Sequence, residues 1–174
     1  MLLQLRELVS SVVGVESVIL LVESFCLQRR MIPWRYAGDV PSSTIIGTSS
    51  HALFLPDFFV LLTDVYWSTT LLWAFSNFLL PLAVSWLFNL TLRPVVRHGV
   101  TKIKPRMRFD PMTFNVIKAL LAWLVFSRGA RFYGLFSNET VDLVAQGMPA
   151  GYSGVLIGSS IGILASLYDA AQRK

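Results

Sequence analysis

From Thr69 to Leu92 the chain runs without a single charged side chain, and no other feature narrows its fold so far. A hydrocarbon core about 30 Å thick is crossed by roughly 20 apolar residues in a helix, so this stretch can span a bilayer. Composition extends the point to the rest of the chain: 54% of residues are hydrophobic, 14% are charged and the mean hydropathy is +0.59. These values lie well to the apolar side of a soluble domain. The expected fold is all-α, a polytopic transmembrane helical bundle of four or five spans with short amphipathic interfacial helices. Residues 1–174 would form a single integral membrane domain with no room for a separate soluble one. Spans are expected near 9–27, 69–92, 112–127 and 150–170. Pro81 sits in the middle of the second and should kink it, freeing a backbone carbonyl that Asn77 or a neighbouring helix must help satisfy.

The charge distribution orients these spans. Residues 93–110 hold Arg93, Arg97, Lys102, Lys104, Arg106 and Arg108 against Asp110 alone, a net of +5 that equals the charge of the whole chain. A short loop of this kind stays on the cytoplasmic side, or its nuclear equivalent. The same six side chains are candidates for contact with anionic lipid. Phe109 alone offers an aromatic face, so base stacking and nucleic-acid binding find little support. Asp110 and Pro111 give the cap-then-proline start of the third span, which Gly129 ends. Ser137 to Gln146 reads as a short amphipathic helix on the far side, closed by Gly147 and Pro149, and Arg173 and Lys174 return the C-terminus to the cytoplasmic side.

The first third admits two arrangements. Val9 to Leu27 is interrupted by Glu16 and Glu23, and Ser10, Ser17 and Ser24 keep the same seven-residue step, so one polar stripe could face a bundle or the interface. Gln28 to Ser50 reads as a polar loop, and residues 52–67 as an interfacial helix or short span beginning at Pro56, with Asp57 and Asp64 on one face. Ser68 is the expected cap of the span that follows. If 52–67 lies flat, four crossings result; if it spans, five do, and Arg29, Arg30 and Arg35 become cytoplasmic. The four-crossing arrangement avoids two aspartates in a short crossing and a turn of almost no length. The N-terminus lacks the residue order of a cleavable signal.

Ala150, Gly154, Gly158, Gly162, Ser166 and Ala170 recur at every fourth position of the last apolar stretch. Between helices in lipid the attraction comes from close backbone approach, which small residues permit. This stripe is therefore a helix-packing face, whose partner is either Thr69–Leu92 or another protein. Glu16, Glu23, Asp57, Asp64 and Lys118 lie in or beside apolar segments, where an ionisable side chain lines an ion pathway or pairs with another charge. Lys118 with Glu16 or Glu23 is the pair that stands out; alternatively Lys118 snorkels to the interface.

Enzyme chemistry has few footholds. Cys26 is the one cysteine, and no paired-histidine metal motif or phosphate-binding loop occurs, so no cofactor is expected and no residue is assigned as catalytic or as a metal ligand. Gly158 to Gly162 matches G-x-S-x-G at Ser160, but the nucleophile elbow needs a strand before it, and here the pattern lies inside one apolar stretch. Gly151-Tyr152-Ser153-Gly154 resembles the G-x-S-G of rhomboid-type intramembrane proteases, and Trp34-Arg35 resembles a loop dipeptide of that family. Such a protease needs a histidine on a later helix, whereas His51 and His98 both precede Ser153, so the resemblance implies an inactive relative. Pro56 to Thr63 and Phe109 to Asn115 resemble segments of uncharacterised multi-pass proteins of fungal endomembranes, which implies the endoplasmic reticulum or nuclear envelope and no particular activity. Asn138 is a candidate glycosylation acceptor on the far side, and Asn89 a silent one. The function expected is non-enzymatic assembly or scaffolding through the small-residue face, in a lipid bilayer, with another membrane protein or a second copy as partner. The alternative is a small transporter or channel, against which stands the lack of an internal repeat.

Overall fold

The computed structural model describes residues 6, 9–40, 50–97, 100–105, 107–132 and 134–172, and these are mostly helical with two small antiparallel hairpins. The helices are α1 (Val12–Met31), α2 (Asp64–Leu87), α3 (Pro111–Ser127), α4 (Asn138–Gly147) and α5 (Tyr152–Gln172). By length and composition, α2 and α5 are long and apolar enough to cross a membrane; α3 is apolar but shorter.

Four of the five helices begin where a side chain takes up a free N–H of the first turn. Ser11 accepts from Gly14, Thr63 from Tyr66, Asp110 from Met112 and Ser137 from Thr140. The Thr63 cap starts α2 at Asp64, five residues before the expected start, and the Ser68 hydroxyl instead donates to the Val65 carbonyl inside the helix. α1 likewise runs on to Met31, past the expected end at Leu27.

Pro81 is absorbed rather than left as a bare defect. The turn before it, Phe75–Leu79, is a wide π turn in which the N–H of Leu80 bonds the carbonyl of Phe75. The Asn77 amide points upstream, donating to the Trp73 carbonyl at 3.3 Å and to the Ser76 hydroxyl at 2.9 Å, so it does not serve the freed carbonyl as expected. A second π turn, Trp123–Ser127, closes α3 ahead of Gly129, whose φ of 68° is the left-handed conformation that glycine adopts freely.

Two segments expected to be loop or helix are strands. β1 (Trp34–Val40) pairs antiparallel with β2 (His51–Pro56), with a bulge between Tyr36 and Gly38. The pairing continues through the Asp57 N–H to the Pro33 carbonyl at 2.9 Å. Asp57 then caps a 3-10 turn, Phe58–Leu62, so no single helix covers residues 52–67. The basic stretch is likewise a hairpin, β3 (Leu92–Arg97) with β4 (Val100–Pro105). Asn89 fastens its base: its amide donates to the Met107 carbonyl at 2.8 Å, and its oxygen accepts from the Thr91 N–H and hydroxyl.

The helix directions follow from who meets whom. Glu16 meets Asn115 and Glu23 meets Lys118, so α1 and α3 run parallel. Gly162 lies against Glu16 and Gly158 against Glu23, so α5 runs the other way. α2 joins the two ends: Thr70 receives a hydrogen bond from Gln28 near the end of α1, and Ser85 one from the Asp110 N–H at the start of α3. At the end where α1 finishes, α4 packs across α2 in an apolar cluster of Leu72, Ala122, Val125, Val141, Val144 and Val155.

Candidate functional site

The ionisable residues inside this bundle converge on one seam. A seven-residue step is almost two full helical turns, so Glu16 and Glu23 emerge on one face of α1. The Asp110 cap and Pro111 fix the start of α3 and so bring Asn115 and Lys118, three apart, onto one face as well. The Asp110 carboxylate also accepts from the Thr113 hydroxyl at 2.7 Å, which holds this first turn.

Where α1 and α3 face each other, the Lys118 ammonium sits 2.8 Å from Glu23 Oε1, with the two side chains 0% and 3% exposed. Asn115 donates through Nδ2 to Glu16 Oε1 and to the Pro111 carbonyl. Glu16 and Asn115 are buried too. Three oxygens of the seam have no hydrogen-bond partner, Glu16 Oε2, Glu23 Oε2 and Asn115 Oδ1, and Ser159 Oγ, next to Gly158 in sequence, is buried without one too. A buried ion pair gains Coulomb energy but gives up the hydration of both ions, so removing one partner strands a bare charge at about 3–5 kcal/mol.

Glycines on α5 are what let this seam close. A Cβ on Gly158 would come within 2.9 Å of Ile19 Cγ2 and 3.4 Å of Glu23 Oε1. A Cβ on Gly162 would collide with Glu16 Oε1 and the Asn115 amide. α5 therefore packs chiefly against α3 and α1, whereas the suggested partner Thr69–Leu92 lies in α2, which packs against α3 and α4. The remaining members of the stripe do different things. Ala150 is outside the helix, exposed in the preceding turn with φ 54°. Gly154 is required by the same turn, since a Cβ there would meet the Pro149 carbonyl. Ser166 is half-buried, bonded to the Gly162 carbonyl at 2.8 Å, and Ala170 is exposed; both line a cleft of about 190 Å³ with Val12, Pro111 and Met112.

Asp57 and Asp64 are elsewhere. Asp57 meets Arg35 across the first hairpin at 3.5 Å and caps the 3-10 turn, while Asp64 is exposed at the start of α2 and accepts from the Val65 N–H. Of the basic residues, Arg93, Arg97, Lys102 and Lys104 lie in the second hairpin and Arg108 is exposed beyond it; Arg106 lies outside the described residues, as do His98, Arg173 and Lys174. Asn138 is exposed as the first residue of α4. Ser153 is exposed in the first turn of α5, and Ser160 donates to the Leu156 carbonyl within that helix, with no strand before it. Among the described residues, no group of three or more His, Cys, Asp or Glu side chains could hold a metal ion.

Sequence reasoning passed over Asn115, Ser159 and Gly147. Asn115 had a signal: an amide one turn before Lys118 inside an apolar run. Gly147 ends α4, and a Cβ there would lie 2.5 Å from Leu27 Cδ1, so it also lets α4 sit on the end of α1. No protein-family model matches the chain, and neither the curated proteins nor the solved structures compared with it yield a match.

Proposed function

We propose that the chain is a non-enzymatic integral membrane protein of four crossings, α1, α2, α3 and α5, that serves as an assembly or scaffolding component. The observation that carries this is the closed seam: Glu23 and Lys118 pair within the chain, and Gly158 and Gly162 already have intramolecular neighbours. The surface left for lipid or a partner is then outward. On α5 it is Ile157, Ile161, Leu164 and Tyr168, all exposed and on one helical face.

The alternating directions of α1, α2, α3 and α5 support four crossings over five, with the N-terminus on the side of the basic hairpin. The basic hairpin favours the cytoplasmic side for that end. The resemblance to fungal endomembrane proteins favours the endoplasmic reticulum or nuclear envelope, and Asn138 is then lumenal. Accessibility tags at Ala37, Val100 and Glu139 test the arrangement: Val100 cytoplasmic with the other two opposite is expected, and a cytoplasmic Ala37 overturns it. Assembly is tested by cross-linking in native membranes. A contact that survives Leu164→Ala combined with Ile157→Ala and Ile161→Ala removes α5 as the docking face.

A second reading, a small transporter or channel, is favoured by the unpartnered buried oxygens of Glu16, Glu23 and Ser159. It no longer includes Asp57 or Asp64. Flux into vesicles that persists in Glu16→Gln with Glu23→Gln and Lys118→Met excludes it.

A further inference from the structure

The seam holds more negative than positive charge. Glu16, Glu23 and Lys118 are all buried, and Lys118 is the one buried cation among the described residues. Glu23 takes that cation at 2.8 Å, so Glu16 has none of its own. An ionised carboxylate without a counter-ion is the most expensive state a buried side chain can adopt.

The hydrogen-bond pattern around Glu16 asks for a different state. Asn115 Nδ2 has two hydrogens, one given to the Pro111 carbonyl at 2.9 Å and one to Glu16 Oε1. The remaining oxygen of each group, Glu16 Oε2 and Asn115 Oδ1, is buried, an acceptor, and without a donor. A carboxylate cannot repair this, because it only accepts. A carboxylic acid can: a hydrogen on Oε2 donates to Asn115 Oδ1 and closes a two-bond acid–amide pair.

We propose that Glu16 is held as a neutral carboxylic acid paired with the Asn115 carboxamide, and that this enclosed acid is a proton-binding site between α1, α3 and α5. The charged and titratable groups around it are Glu23 on its own helix, two turns away and already bridged, and Lys118 and Asp110 on α3. On α5, Gly162 lies against it, and Tyr168 and Asp169 follow about two turns beyond. Loss of the proton places an uncompensated charge against Gly162, where α5 leaves no room even for a Cβ. The proton is therefore coupled to closure of the seam, a property that goes beyond scaffolding and does not depend on it.

Infrared spectroscopy of the full chain in lipid vesicles at neutral pH tests the proposal. A protonated carboxyl C=O band that shifts in D2O and disappears in Glu16→Gln is expected. Glu16→Gln should also keep wild-type thermal stability, since an amide reproduces the donor and acceptor edges of the acid. Absence of a Glu16-dependent band overturns the proposal, and so does a band that emerges only when sodium is replaced by choline, which marks a cation site instead. If Glu16→Gln fails to fold, Asn115→Leu supplies the readout: the band should move to higher frequency on losing its amide partner, and an unmoved band overturns the assignment.

Discussion

Around α4 the helices meet through Leu72, Val125, Val144 and Val155, whereas one to two turns further along α5 they meet through Glu16, Glu23, Asn115 and Lys118. The apolar region tolerates small shifts, because dispersion contacts are many and non-directional. The polar region tolerates few, since each atom has a required partner and the penalty for losing it is the full desolvation of a charge or amide. Glycine appears in both for the same geometric reason, at Gly147 against Leu27 and at Gly162 against Glu16. Of these two, Gly162 is the one whose neighbours are a carboxyl and an amide.

That contrast can be broken at its strongest point by Lys118→Met, which strands the Glu23 carboxylate and should cost about 3–5 kcal/mol in thermal or denaturant unfolding in detergent. Adding Glu23→Leu should restore most of the loss; equal losses in the single and double variants would show that the pair is not coupled. In the apolar region, Leu72→Ala should cost about 2–3 kcal/mol through its cavity, with no change in the pH dependence of unfolding. Gly162→Ala should cost about 1–3 kcal/mol and more than Gly158→Ala, because Ile19 can yield more readily than the Glu16–Asn115 pair. If the two alanine variants unfold alike, the Glu16–Asn115 pair is no stricter a neighbour than Ile19. The smallest effect is expected from Asp110→Ala, about 1 kcal/mol from loss of the α3 cap, read by the same unfolding assay.

How much of this was legible depends on how local the determinant is. Asp110-Pro111 and Ser137 are local signals, and α3 and α4 start where they indicate. The small residues at positions 158 and 162 and the isolated Lys118 were visible as features, but their convergence was not, because it depends on residues 95 and 99 positions apart. The hairpins were hidden for another reason. In Thr101-Lys102-Ile103-Lys104 a β-branched residue alternates with lysine, as in a strand, but the charge of the segment points first to the topology rule. At Trp34 to Tyr36 the aromatic and polar residues read as loop until His51 to Pro56 supplies the partner strand. The early start of α2 turned on Thr63, a weaker-looking cap than Ser68, which prevailed because the helix extends to meet it.

The long reach of the seam also has a meaning in time. α1 is made first, yet the groups that receive Glu16 and Glu23 are Asn115 and Lys118, with Gly158 and Gly162 closing over them last. Until ribosomal synthesis has passed Gly162, the nascent chain carries two carboxylates on a helix that has no finished place to put them. A chain cut short before Gly158 therefore exposes an acidic stripe that the closed seam conceals, so unburied charge on α1 marks a seam not yet finished.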